Sequence, residues 1–144
     1  MIEGTILLVD DNPDDVTLTL RAFRTNNITN QVDVASDGEE ALNYLLPDGE
    51  YPPKPVLILL DINLPKISGL EVLRRVRNDD RTRYLPVVVL STSSEDRDIV
   101  ESYDLGANSY IRKPVVFNEF VEAVRVLGLY WLLVNQAVTA PKGG

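Results

Sequence analysis

Five side chains with chemistry to offer, Asp10, Asp11, Asp61, Ser91 and Lys113, stand at the ends of three apolar runs and one short, more polar strand. Residues 5–9 stop on Asp10-Asp11, residues 56–60 on Asp61, residues 86–90 on Ser91, and residues 109–112 on Lys113-Pro114. Such runs suit strands buried on both faces of a parallel sheet, where an acid has no structural use. In an open α/β sheet the carboxyl ends of the strands form the ligand-binding rim, so parallel strands would deliver all five groups to one place. Three crowded carboxylates repel one another, and a bound divalent cation removes the conflict. An all-oxygen, partly hydrated site suits Mg²⁺. Around an incoming phosphoryl group, the metal and Lys113 would offset charge and Ser91 would donate a hydrogen bond. Asp61 would then be the nucleophile that forms an acyl phosphate.

The elements needed to position these groups are legible. Consecutive strand residues point to opposite faces, so Asp10 and Asp11 converge only where the chain turns into a helix. Asn12-Pro13 supplies that turn, as N-cap and first helical residue, with Asp14 and Asp15 favourable in the first turn. Val16, Leu20 and Phe23 mark one apolar face of a helix ending near Asn26-Asn27. A short strand is expected over residues 31–35, and Ser36 with Glu39 is spaced as a capping box for the next helix. Residues 47–55, with Pro47, Pro52, Pro53, Pro55 and Gly49, read as an exposed extended loop. Ser68 with Glu71 is a second capping box, opening a helix to about Arg77. A helix over about 95–105 stops at Gly106, placed as a C′ glycine, and a last helix covers roughly 118–136 before a tail over 137–144. Five strands alternating with five helices predict a parallel sheet with helices on both faces.

Each residue alone has a plainer reading. Asp10-Asp11 could be helix-capping acids, Asp61 a solvated turn residue, Ser91 a helix cap and Lys113 a solvated charge. Their joint occurrence, each at the same end of a different strand, is what coincidence explains poorly.

Composition narrows the classes. A chain of 144 residues with 44% hydrophobic content suits one domain with a proper core. Cysteine and histidine are both absent, which removes disulfides, thiol chemistry, imidazole metal sites and Ser-His-Asp catalysis. A net charge of −8 argues against nucleic-acid backbones and anionic membrane surfaces. No apolar run is long enough to span a bilayer and no signal peptide is evident, so a cytoplasmic location is expected.

Asp10-Asp11, Asp61, Ser91 and Lys113-Pro114 resemble the signature of the receiver domain of two-component response regulators, over about residues 5–134. The spacings from Asp61 to Ser91 and from Ser91 to Lys113 agree with the single-domain, chemotaxis-type members. The resemblance implies a flavodoxin-like, doubly wound, five-stranded parallel sheet in the order 2-1-3-4-5. It implies Asp61 as phosphoacceptor, fed by a sensor histidine kinase's phosphohistidine, and a signalling module rather than a turnover enzyme. It implies Mg²⁺ held by Asp11 and Asp61, by Asp10 through water, and by the backbone carbonyl of Asn63. Ser91 and Tyr110 look like the switch pair, Lys113-Pro114 like a cis bond, and Asn63 and Ser93 like positions that tune dephosphorylation. Ser91 stands where threonine is commoner, with Thr92 beside it. The loop over 47–55 is longer than in minimal receivers, and residues 114–117 lack the usual polar cap, which puts the helix start at Asn118. The long loop with Leu90-Ser91-Thr92-Ser93 looks like the single-domain regulators that partner phytochrome-type photoreceptor kinases.

A receiver without an output domain would pass its signal through its own surface. In the last helix Phe120, Val124, Leu127, Trp131 and Val134 fit a core-facing stripe, leaving Val126, Leu129, Tyr130 and Leu133 outward. That apolar face predicts a homodimer, or a kinase or target docking site, unless the tail folds back over it. Two rivals compete with the receiver. A haloacid-dehalogenase-type phosphatase also uses a strand-end Asp nucleophile with Mg²⁺, but it wants a general acid where this chain has Asn63. A flavodoxin-like cofactor binder would need a glycine-rich phosphate cradle that these acidic turns lack.

Overall fold

The apolar runs form the strands of one parallel sheet in a computed structural model that describes residues 4–48, 54–91, 96–112 and 117–129. In chain order the elements are β1 (Ile6–Val9), α1 (Pro13–Thr25), β2 (Val32–Ala35), α2 (Gly38–Leu45), β3 (Leu57–Asp61), α3 (Gly69–Asn78), β4 (Val87–Ser91), α4 (Asp96–Asp104), β5 (Ser109–Arg112) and α5 (Phe117–Leu129). The strands lie in the order β2-β1-β3-β4-β5, all parallel, as the resemblance implies. Every residue of β1, β3 and β4 is buried, because helices cover both faces.

Alternation along each strand divides the core in two. Leu7, Val9, Ile58, Leu60, Val87 and Val89 face α2 and α3, meeting Leu42, Leu45, Val72, Leu73 and Val76. Ile6, Leu8, Leu57, Leu59, Val88 and Leu90 face α1 and α5, meeting Ala22, Phe23, Phe120 and Val124. Each such aliphatic side chain contributes about 1.5–3 kcal/mol on burial, which sets the register and with it the height at which each strand ends.

The helix starts follow local chemistry. The Asn12 side chain accepts hydrogen bonds from the Asp14 and Asp15 N–H groups at 2.9 and 3.4 Å, and Pro13 opens α1. Ser68 caps α3 by accepting from the Glu71 N–H at 3.2 Å. The Glu71 carboxylate completes no capping box; Arg74 and Arg75 bind it instead and hold its pKa down at about 2. At α2 the expected cap is displaced by one residue. Asp37, not Ser36, is the N-cap and accepts from the Glu40 N–H at 2.8 Å. A carboxylate is the stronger acceptor for a helix N-terminus, so it takes the position. The last helix begins at Phe117, one residue before the expected Asn118, with the Phe117 ring under the Arg21 guanidinium at 4.6 Å. Gly106 takes φ +99 just past α4, as a C′ glycine should. Among the described residues no helix is long and apolar enough to cross a membrane. Most of the proline-rich loop and the tail lie outside the described residues; Arg81 anchors the loop's start by donating to the Pro47 carbonyl at 3.0 Å.

Two polar anchors hold the parts of the fold away from the strand ends. The Arg77 guanidinium, more than half buried, donates to the carbonyls of Gly106, Arg83 and Leu85 at 2.9, 3.1 and 2.7 Å and to Asn108 Oδ1 at 2.8 Å. The same Asn108 oxygen accepts from the Val87 N–H at 2.8 Å, so α3 is tied to the starts of both β4 and β5. On the edge strand, the Tyr44 hydroxyl donates to Asp33 Oδ2 at 2.7 Å. This bond, and then the Gln31 amide, hold the Asp33 carboxyl below its ordinary range. Burial first, and then Asp33, push the Tyr44 phenol up to about 12.

The pair predicts a bounded pH dependence. Asp33, with a depressed folded pKa, contributes stability above its unfolded value of about 4 and loses it as pH falls through the folded value. Tyr44, with a raised folded pKa, contributes fully below its unfolded value of about 10 and loses the contribution as pH rises toward about 12. The stability difference between wild type and Tyr44→Phe, from urea melts, should therefore be flat from about pH 5 to about pH 9 and shrink on either side. A difference unchanged at about pH 11 would contradict the hydrogen bond.

Candidate functional site

Register alone brings the first two acids together. Val9 is paired with Leu60, so the next residues, Asp10 and Asp61, stand side by side at the ends of β1 and β3. The Asp10 N–H continues the ladder by donating to the Ala35 carbonyl at 3.0 Å. β1 stops at Val9, and the bend into α1 turns Asp11 toward the same place. One carboxylate oxygen from each of Asp10, Asp11 and Asp61 lies within 4.8 Å of the others. Asp10 and Asp61 are only 2% and 5% exposed, whereas Asp11 is open to solvent.

Each buried acid is oriented by the same local device. Asp10 Oδ1 accepts from the Asn12 N–H at 3.0 Å, and Asp61 Oδ1 accepts from the Asn63 N–H at 2.9 Å. Such turns, in which an Asp side chain binds the backbone two residues on, fix one carboxylate oxygen and thereby direct the other. The donor set is entirely hard oxygen, with a buried side and an exposed side. It fits a small divalent cation that keeps several waters.

The remaining predicted residues fall out as follows. Ser91 ends β4 with no exposed surface, one residue beyond Leu90, which is the partner of Asp61. Tyr110, on β5, pairs with Val89 of β4 and is half-buried against the core under α2 and α3; by alternation it shares a face with Ser91. Asn63 is exposed just past Asp61, with its N–H engaged as described. Lys113, Pro114 and Ser93 lie outside the described residues, as do Tyr130, Leu133 and the side chain of Leu129. Val126 is 53% exposed on α5, as expected for the outward face. Phe120 and Val124 are buried on the opposite side.

Sequence reasoning missed three contributions. α4 exposes Val100 and Tyr103, which single apolar residues within a charged helix do not announce. Asp37, besides capping α2, binds Lys66 at 3.4 Å and so joins α2 to the loop that follows Asp61. Lys66 sits in that loop with φ +66, a left-handed conformation costly for lysine. Gly38 and Gly69 admit close backbone contacts to the two ends of the same loop. A glycine as first residue of a helix was the available signal, since propensity gives no reason for it.

A family model described as the response regulator receiver domain matches residues 6–125. The response regulator Rcp1 of Synechocystis sp. is 37% identical over 94% of this chain and 92% of its own length. The Mn(2+)-bound form of Rcp1 superposes with a TM-score of 0.85 at 35% identity, covering 94% of this chain and 99% of the other. The phosphorylated cyanobacterial phytochrome response regulator RcpA gives a TM-score of 0.87 at 39% identity, over 95% of this chain and 99% of its own. The bacteriophytochrome response regulator AtBRR is 46% identical with a TM-score of 0.73, over 94% and 100% of the two chains.

Proposed function

The chain belongs to the response regulator receiver domain family of two-component systems, and from that premise we propose that Asp61 accepts a phosphoryl group from a sensor histidine kinase. The observation that carries this reading is the meeting of three carboxylate oxygens within 4.8 Å at the carboxyl ends of β1 and β3. In the step, an Asp61 carboxylate oxygen attacks phosphorus. The P–N bond to the kinase imidazole breaks, its electron pair stays on nitrogen, and an acyl phosphate forms. Asp10, Asp11 and Asp61 would hold Mg²⁺, with the Asn63 carbonyl as a further oxygen; when bound, the ion supplies positive charge for the phosphoryl oxygens. Ser91 and Lys113 would then bind those oxygens from β4 and from beyond β5. Asn63 carries no transferable proton, which disfavours the phosphatase alternative.

The similarity to the phytochrome response regulator RcpA and the bacteriophytochrome response regulator AtBRR supports a phytochrome-type photoreceptor kinase as the phosphoryl donor. Ser91 and Tyr110, on one face of neighbouring strands, would carry the change outward. The surface proposed to read it is the outward side of α5, with Val126 exposed and Leu129, Tyr130 and Leu133 following in sequence. Val100 and Tyr103 are exposed on α4, which packs on β5, and offer a second apolar contact of the same kind. We expect a homodimer built there, which Leu129→Glu with Leu133→Glu should convert to monomer in sedimentation velocity. A wild type that stays monomeric with and without phosphorylation removes the dimer.

The test of the central reading is incubation with acetyl phosphate and Mg²⁺. One alkali-labile phosphoryl adduct should appear by mass spectrometry, map to the peptide containing Asp61, and fail to form when the metal is chelated.

A further inference from the structure

The first turn of α3 meets the end of β3 at a point where only a hydrogen atom fits. A Cβ on Gly69 would stand 2.1 Å from the Asp61 carbonyl oxygen and 2.5 Å from Ile62 Cα. Both are main-chain atoms, with no flexible end to swing aside. Gly69 is buried, and its backbone lies outside the left-handed region, so its conformation does not call for glycine. Helix propensity would favour alanine by about 1 kcal/mol. The close approach is the only feature at this position that demands glycine.

That contact sits on the backbone that aims the nucleophile. The Gly69 N–H donates to the Ile62 carbonyl at 3.0 Å, and the Asn63 N–H donates to Asp61 Oδ1 at 2.9 Å. α3 therefore braces the peptide units from Asp61 to Asn63, and those units hold one oxygen of the carboxylate. The far end of the loop is braced in the same way, since a Cβ on Gly38 would stand 2.1 Å from the Ile67 carbonyl oxygen.

We infer that Gly69 is a positioning residue for Asp61: its missing side chain lets α3 seat the β3 end so that the carboxylate faces Asp10 and Asp11. The inference rests on Asp61 being the phosphoryl acceptor. An alanine methyl has to push the Asp61–Ile62 backbone by about 1 Å, a displacement large enough to cost a reacting group tenfold or more in rate.

The test compares Gly69→Ala with Gly106→Ala. Gly106 has φ +99 and a Cβ there would meet Arg77 Nε at 2.9 Å, so its substitution also strains the fold, but far from the strand ends. Both variants are assayed at a temperature and osmolyte concentration where urea melts show them folded. Two quantities are read: the Mn²⁺ dissociation constant, which needs no phosphoryl donor, and the phosphorylation rate at saturating acetyl phosphate. Gly69→Ala should lose about tenfold or more in both, while Gly106→Ala keeps both within about twofold of wild type. Unchanged metal affinity and rate in folded Gly69→Ala overturn the inference, as does an equal loss in Gly106→Ala. A wild type that forms no adduct at Asp61 overturns the phosphoacceptor reading itself, a distinct outcome.

Discussion

The Asp61→Asn variant is expected to form no phosphoryl adduct from acetyl phosphate and Mg²⁺, under conditions that label wild type fully. The carboxamide has neither the negative charge to hold the cation nor an oxygen nucleophilic enough to give an acyl phosphate. Two measurements separate this from misfolding. Asp61 is one of three acids whose oxygens lie within 4.8 Å, so its neutralisation relieves repulsion in the metal-free protein. Without metal, Asp61→Asn should be no less stable than wild type in urea melts. With Mg²⁺, wild type should gain stability by mass action and the variant should gain less. An adduct that persists in Asp61→Asn would move the phosphoryl group to another residue and sink the assignment.

The second large effect is expected at the opposite end of the sheet. Arg77→Met keeps much of the aliphatic stem but removes the donors to three carbonyls and to Asn108 Oδ1. Leaving the two part-buried carbonyls, those of Gly106 and Leu85, without these donors should cost about 3 kcal/mol. For a chain of this size that is a fall of roughly 10 °C in the melting midpoint. Arg77→Lys should recover little, because one ammonium group cannot reproduce a planar fork spread over four acceptors. A Lys variant as stable as wild type would show that charge, not the fork, is what the site requires. Well below its melting point, Arg77→Met should still phosphorylate, because its partners lie before β4 and β5 while the acids lie at the strand ends. Loss of function at Asp61 and loss of stability at Arg77 should therefore separate.

How much of this was legible depended on how local its cause is. The buried strands, the Asn12-Pro13 helix start, the Ser68 cap and the Gly106 stop each depend on a few consecutive residues, and the structure has them where expected. Where two local choices were close in merit, the reading slipped by one residue, as with Ser36 and Asp37. The strand order came from the resemblance and not from periodicity, because buried runs such as those of β1, β3 and β4 look alike in sequence.

The amino-acid sequence by itself singled out the candidate residues, because an acid or hydroxyl that ends a buried apolar run has few other uses. It also predicted that these residues share one rim, since parallel strands all run the same way, and Asp10, Asp11, Asp61 and Ser91 do end neighbouring parallel strands. Only the tertiary structure decided how close the acids come and which way they face. The pairing of Val9 with Leu60 puts Asp10 beside Asp61, and the contact of Gly69 with the Asp61 backbone braces Asp61 from a different element. The Arg77 anchor, which reaches the starts of two strands from the end of a helix, is of the same kind. These contacts join residues far apart along the chain, and their geometry is set by how helices seat on the sheet. No window of neighbouring residues records that seating.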